Sequence, residues 1–292
     1  MTARKPAQIT VPAAAKINLC LRILGRRPDG YHDLESVVVF ADFGDCLTVA
    51  KAAGQDDHLR VDGAFSQTLA VTENNIVSQA VQAFRSHYPQ PPRVAMQLQK
   101  NLPVAAGIGG GSSDAAACLR ALCQLNDMTP KTTPLRSIAL GLGADVPVCL
   151  VGRAAMMSGI GAEISALPNW PSFGVLLVNP HVGLSTAAVF AAHQASPRSA
   201  LPAADMIQDQ ATAVDYLKNA GNDLTAAALQ TAPVVQEVLT RLAQQPQVLF
   251  HAMSGSGATC FGLFANAAEA RTACQQLQKA EPDWWLRAGV TC

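Results

Sequence analysis

Charge is scarce in this chain and aromatic rings are scarcer: Asp, Glu, Lys and Arg make up 14% of 292 residues, and Phe, Trp and Tyr only 5%. The 21 acidic and 21 basic side chains cancel to a formal net charge of zero. That balance leaves no field to gather nucleic acid or an anionic membrane. No apolar run approaches the roughly 20 residues of a membrane-spanning helix. Arg4 and Lys5 stand near the start, but Lys16 and Asn18 interrupt what would have to be the apolar core of a signal peptide. The 8 cysteines are scattered without a Cys-x-x-Cys, and the 6 histidines fall in no His-Glu-x-x-His spacing. A disulfide scaffold and a zinc site are therefore not expected. These absences point to a cytoplasmic protein with reduced thiols.

What remains is apolar mass. Hydrophobic residues are 49% of the chain, enough for a large core and two domains without disordered tails. Strands are expected at 9–11, at 16–23, at 37–40 and 46–49 joined by a turn at Asp42-Phe43-Gly44-Asp45, at 59–61 and at 94–98. Helices are expected at 74–87, 115–125 and 133–142, followed by strands at 148–151, 154–158 and 162–164. Pro168-Asn169-Trp170-Pro171-Ser172 is the expected boundary, giving domains 1–167 and 168–292. The second half reads as strand, helices, strand, glycine loop, strand, helix, strand. That is an α+β sandwich with helices on one face of an antiparallel sheet.

One stretch stands out: Pro103-Val104-Ala105-Ala106-Gly107-Ile108-Gly109-Gly110-Gly111-Ser112-Ser113-Asp114. Crowded glycines let backbone approach a ligand closely. Ser112 or Ser113 is expected to cap the next helix, with Asp114 in its first turn. A glycine loop running into a helix N-terminus suits a polyphosphate. It is not a P-loop, because no lysine stands between Leu102 and Arg120. Nor is it a dinucleotide fingerprint, since Lys100-Asn101-Leu102-Pro103 separates it from the preceding strand.

Three further features carry chemistry or a plainer alternative. Lys16 and Asn18 share one face of an alternating strand, where a lysine is ordinarily just solvated. Tyr31 and His32 come after a turn at Gly25–Gly30 and fit either packing at a hairpin rim or recognition of a nucleobase by stacking and edge hydrogen bonds. Asp145 falls after a helix C-terminus, where the dipole disfavours an acid. A plain turn aspartate and a functional carboxylate both remain open there.

The spacing Pro-x-x-x-Gly-Ile-Gly-Gly-Gly-Ser-Ser-Asp resembles the phosphate loop of the GHMP kinases, small-molecule kinases that include galactokinase, homoserine kinase and mevalonate kinase. Ala15–Leu19, Arg27–His32, Gly143–Pro147, Gly221–Leu224 and Met253–Phe261 extend the resemblance over nearly the whole chain, in the family's order. The segment Asp29-Gly30-Tyr31-His32 resembles the branch whose alcohol substrate carries a cytidine diphosphate. The resemblance implies an α+β, two-domain fold: an N-terminal α/β domain bearing the phosphate loop, and a ferredoxin-like C-terminal domain. It implies an ATP-dependent kinase of isoprenoid synthesis using Mg²⁺, with no metal ligand assigned among the side chains. Lys16 and Asp145 would be the catalytic pair, and residues 103–113 would hold the ATP phosphates with Asn74 and Lys100 near the nucleoside. Asn18, Tyr31, His32, Thr186 and Phe190 would face the cytidyl substrate. Asn75 stands where the family more often has an apolar residue, and Ser196-Pro197-Arg198 matches its Thr-Arg pattern loosely. Two rivals are a kinase of a smaller alcohol such as homoserine or mevalonate, and a non-catalytic nucleotide-binding regulator.

Overall fold

Two long strands set the frame, β1 (Gln8–Asn18) and β3 (His32–Lys51). Each runs on from one compact unit of the chain into another. One unit comprises the chain up to Ala15 with Phe43–Val104 and Gly110–Val151; the other comprises Lys16–Asp42, Ala105–Gly109 and Gly152–Cys292. The structure, a computed structural model, describes residues 8–69, 74–88, 91–129, 133–194 and 196–292. Part of the expected proline stop at 89–92, and the residues just before 133, lie outside the described residues.

β3 is continuous where a turn was expected, and Gly44 explains why. A Cβ there would lie 2.1 Å from the Ala13 carbonyl oxygen, so the glycine admits a neighbouring strand rather than a bend. The expected strand 16–23 is instead interrupted between β1 and β2 (Arg22–Arg26). Leu21 pairs elsewhere: its N–H donates to Gly221 O at 2.9 Å, and its carbonyl accepts from Asp223 N–H at 2.9 Å.

In the first unit β4 (His58–Asp62) lies parallel to β5 (Val94–Gln99), which is antiparallel to the Cys46–Lys51 end of β3. The connection carries α1 (Ile76–His87), whose Val77, Ala80, Val81 and Phe84 form its buried face. Asn75, the residue out of family pattern, is the N-cap of α1: its Oδ1 accepts the Val77 N–H at 2.9 Å. α1 packs on α2 (Gly110–Leu125) and α3 (Thr133–Leu142), and α4 (Val146–Val151) packs on both of those. Residues 148–151 were expected as a strand on their Val-Cys-Leu-Val composition. They are helical instead, with Asp145 O accepting the Cys149 N–H at 3.1 Å and Pro147 in the first turn, where a missing N–H costs nothing.

In the second unit the His32–Val38 end of β3 pairs antiparallel with β2 and with β6 (Ala155–Gly159), and β6 pairs with β7 (Glu163–Ala166). A second sheet holds β8 (Gly174–Asn179), β9 (Phe250–Met253), β10 (Cys260–Phe264) and β11 (Trp285–Val290) in the order β11-β8-β10-β9, every pair antiparallel. Between β8 and β9 run α5 (Thr186–Ala192), α6 (Gln210–Ala220), α7 (Thr225–Thr231) and α8 (Val234–Ala243), and α9 (Ala267–Ala280) joins β10 to β11. This is the ferredoxin-like arrangement. Its core joins Leu176, Val178, Cys260 and Phe264 of the sheet to Val235, Val238 and Leu242 of α8 and to Ala270, Ala273 and Leu277 of α9. α6 was not foreseen, although Asp209 caps it through the Thr212 N–H at 2.9 Å and Ala213, Val214, Leu217 and Ala220 form a helical stripe. The division expected at 167/168 falls between β7 and β8, whereas the compact units are interleaved along the chain.

Candidate active site

α2 begins at Gly110, not at Ala115 as expected. The left-handed conformations stop just before it, at Ala105 (φ 52°), Gly107 (φ 75°) and Gly109 (φ 61°). Gly110, Gly111, Ser112 and Ser113 are therefore the first helical residues, and the serines are not caps. Ser113 spends its hydroxyl on the Ala14 carbonyl at 2.7 Å. Along the loop Pro103, Ala106 and Ile108 are buried, Val104, Ala105 and Gly111 are exposed, and Gly107, Gly109, Gly110 and Ser112 are intermediate. The first-turn N–H groups of α2 have no partner within the helix, so this end can bind an anion.

Within the second unit, residues 105–109 rest on the glycine loop between β9 and β10. Thr259 N–H donates to Ala106 O at 3.1 Å, and Leu184 N–H to Ala105 O at 3.3 Å. Ser254 Oγ donates to Gly107 O at 3.0 Å and accepts the Asn18 N–H at 3.1 Å. A Cβ on Gly107 would lie 2.6 Å from the carbonyl oxygens of both Gly257 and Ser254. Glycine is required there by backbone on both sides.

Lys16 enters from β1, 2% exposed. Its N–H donates to Ile108 O at 3.0 Å, and its aliphatic stem passes under Gly109, where a Cβ would be 3.0 Å from Lys16 Cβ and 3.2 Å from Cε. Both faces of this stretch are buried, so the plain solvated-lysine reading does not hold. Asn18 is buried too, with its Nδ2 donating to Ser36 Oγ at 2.7 Å. Thr186 Oγ1 and Ser256 Oγ lie 3.0 Å apart, tying the start of α5 to the second glycine loop.

His32 and Phe190 meet with ring centroids 5.2 Å apart and planes 32° apart, and His193 stands edge-on to His32 at 6.4 Å. Burial holds the His32 imidazole below its usual value, with Arg26 and His193 adding to the effect, so the ring is neutral at pH 7. Tyr31 beside it is 60% exposed. The turn before it is fixed by Asp29, which accepts the Tyr31 N–H at 3.1 Å and pairs with Arg27.

In the first unit Asp145 precedes α4, at a helix N-terminus. The expectation that it meets only an unfavourable dipole end is thereby corrected, because an acid is favoured before α4. Asn74 is exposed, and its carbonyl accepts from Gln79 Nε2 at 3.3 Å. Lys100 is 2% exposed, its ammonium 2.5 Å from Asp45 Oδ2 and 2.7 Å from Asp114 Oδ2. Asp114 lies beyond the first turn of α2 rather than in it. Sequence reading assigned no role to Asp45, Ser36 or His193. Asp114 is legible in the sequence as the last residue of the Gly-Gly-Gly-Ser-Ser-Asp spacing.

None of the 8 cysteines is in a disulfide, and burial pushes the thiols of Cys20 and Cys118 up to about 12, away from the thiolate form a nucleophile needs at neutral pH. No helix among the described residues is long and apolar enough to cross a membrane.

The family description for the GHMP kinases N terminal domain matches residues 75–153, and that for the GHMP kinases C terminal matches 201–283. A relative from Parvibaculum lavamentivorans, named 4-diphosphocytidyl-2-C-methyl-D-erythritol kinase, is 47% identical over 287 residues, covering 97% of this chain and 98% of its own. A crystal structure of 4-(cytidine 5'-diphospho)-2C-methyl-D-erythritol kinase superposes with a TM-score of 0.78 at 29% identity, over 97% of this chain and 99% of that one. Homoserine kinase from Cytophaga hutchinsonii shares the fold, at a TM-score of 0.72 and 18% identity, over 100% of this chain and 96% of its own. A kinase fold, a glycine loop opening onto a helix N-terminus and full-length similarity agree: the chain belongs to the 4-diphosphocytidyl-2-C-methyl-D-erythritol kinases, ATP-dependent members of the GHMP kinase family.

Proposed function

We propose that this protein transfers the γ-phosphoryl group of ATP to the 2-hydroxyl of 4-diphosphocytidyl-2-C-methyl-D-erythritol, in the methylerythritol phosphate route to isoprenoids, acting in the cytoplasm on free small molecules. The observation that carries the substrate side is the His32 ring packed on Phe190 beside an exposed Tyr31. A flat, amphipathic surface of this kind recognises a nucleobase by stacking and edge hydrogen bonds. A small alcohol has no ring to place there.

In this reading residues 103–113 hold the ATP phosphates, with Asn74 on the nucleoside side and Lys100, buried against Asp45 and Asp114, supporting that side from beneath the loop, and Asn18 and Thr186 join the rings in seating the substrate. Phosphoryl transfer asks for positioning and charge neutralisation. The Asp145 carboxylate accepts the proton of the 2-hydroxyl as its oxygen bonds to the γ-phosphorus and the bond to the ADP oxygen breaks. The Lys16 ammonium offsets the charge spread over the moving phosphoryl oxygens. Magnesium bound with the nucleotide would neutralise its β- and γ-oxygens. Among the described residues no three His, Cys, Asp or Glu side chains are grouped as a metal cage.

A substrate panel tests the assignment. With ATP and Mg²⁺, ³¹P NMR should show a new phosphomonoester on the cytidyl-diphosphate alcohol and none on homoserine or mevalonate. Transfer to a free small alcohol at an equal or higher kcat/KM would overturn it, and binding of ATP without any transfer would favour a regulator.

A further inference from the structure

The trio of Lys100, Asp45 and Asp114 does more than fill the core. Asp45 Oδ1 accepts the N–H of Asn101 at 2.5 Å and of Leu102 at 2.8 Å, while its Oδ2 takes the Lys100 ammonium. Asn101 Nδ2 also donates to Gly44 O at 3.0 Å, so the chain leaving β5 is fixed on β3 at three consecutive residues. Lys100 Nζ then reaches Asp114, four residues into α2. Gly110, the first residue of that helix, lies directly on the cluster: a Cβ there would be 3.1 Å from Lys100 Nζ and 3.7 Å from Asp45 Oδ2. The stretch that enters the glycine loop and the helix that leaves it are thus held by one ammonium.

From this geometry we infer that Asp45 and Asp114 are positioning residues for ATP, acting through Lys100 to fix the separation of the two ends of the phosphate loop. The inference rests on the reading that residues 103–113 hold the nucleotide phosphates. The loop between the clamped ends carries left-handed residues at 105, 107 and 109, a backbone that a chain with free ends would not keep. Burial pushes the Asp114 carboxyl up to about 7 against the pull of Lys100, and its Oδ1 is buried without a hydrogen-bond partner.

The test compares the parent with Lys100→Met, Asp114→Leu, Asp114→Asn and the charge-matched double variant Asp45→Asn/Lys100→Met, reading kcat and both KM values. Misplacing a binding group by about an ångström costs up to roughly 10²-fold. The KM for ATP should rise about tenfold or more in Asp114→Leu, with kcat at saturating ATP and KM for the cytidyl substrate close to parental; Lys100→Met and the double variant should raise the ATP KM at least as far. Asp114→Asn, which still accepts from Lys100, should restore most of the ATP affinity. Should a single variant fail to fold, the double variant removes opposite charges together and still gives the readout. Folded variants with a parental ATP KM, or a kcat that falls in step with thermal stability while the KM values stay put, would overturn the positioning role. Gly109→Val serves as the control: if it too binds ATP like the parent, the fault lies with the loop assignment and not with the clamp.

Discussion

The two glycine-rich loops of this chain are alike in letters and different in surroundings. Residues 103–113 alternate buried and exposed positions and run into the sixteen-residue helix α2. Residues 254–259 are buried throughout and join two adjacent antiparallel strands, β9 and β10. Two polar groups of the second loop serve the first: the Ser254 hydroxyl donates to Gly107 O, and the Thr259 amide to Ala106 O. Glycine in both places marks a close approach of backbone, and the element on the C-terminal side of the glycines decides what is approached. A helix start leaves N–H groups for an anion. The return into β10 starts no helix, and the second loop meets the first through Ser254 and Thr259.

Five substitutions would break or sharpen the contrast between the loop proposed to bind phosphate, with its partners, and the one that supports it. The largest effect is expected for Asp145→Asn, which keeps size but removes the proton acceptor. Its kcat should fall roughly 10²-fold or more, with ATP affinity by titration unchanged; near-parental turnover would end the general-base assignment. Next come the rings, where Phe190→Ala or Tyr31→Ala removes a stacking face worth roughly 1–3 kcal/mol. The KM for the cytidyl substrate should rise while that for ATP holds. Because Tyr31 is 60% exposed, its truncation should leave the melting temperature unaltered. A change in stability without a change in KM would make both rings mere packing.

Ser254→Ala probes the support directly. It strips a hydroxyl that serves both Asn18 N–H and Gly107 O, and should cost about 1–2 kcal/mol of stability in a denaturant titration, with kcat retained. A catalytic loss at constant stability would instead make the second loop part of the machinery. The smallest effect concerns pH. His32 is held below its usual value, so its ring stays neutral down to about pH 6.5 and charges only below that. The KM for the cytidyl substrate should be flat above that point and rise as pH falls, and His32→Gln should flatten the rise. The native state resists this protonation, so the small contribution of His32 to stability is likewise present above the ordinary histidine value and fades on acidification.

Local signals carried much of this reading. The apolar spacing of α1 and the strand pattern of the second sheet were legible because each depends on neighbours along the chain. The helix at 146–151 was not, since its Val-Cys-Leu-Val content favours a strand and only the Asp145 carbonyl and Pro147 start the turn. α6 was overlooked despite a capping aspartate, because Ala213 and Ala220 contribute little hydrophobic contrast. Gly44 looked like a turn residue, and only the Ala13 carbonyl beside it shows otherwise. The buried trio lay furthest from view: Asp45 and Lys100 are 55 positions apart, and an ion pair at that separation leaves no pattern in either segment.

Calorimetric titration of ATP into Gly109→Val tests most directly whether residues 103–113 hold the nucleotide phosphates. Gly109 has φ 61°, and its missing Cβ would lie 3.0 Å from Lys16 Cβ, so a β-branched side chain fits neither the backbone nor the space. The account predicts an unchanged far-UV circular dichroism spectrum and no measurable heat at ATP concentrations that saturate the parent. A folded variant that titrates with the parent's affinity would contradict it and place the phosphates elsewhere.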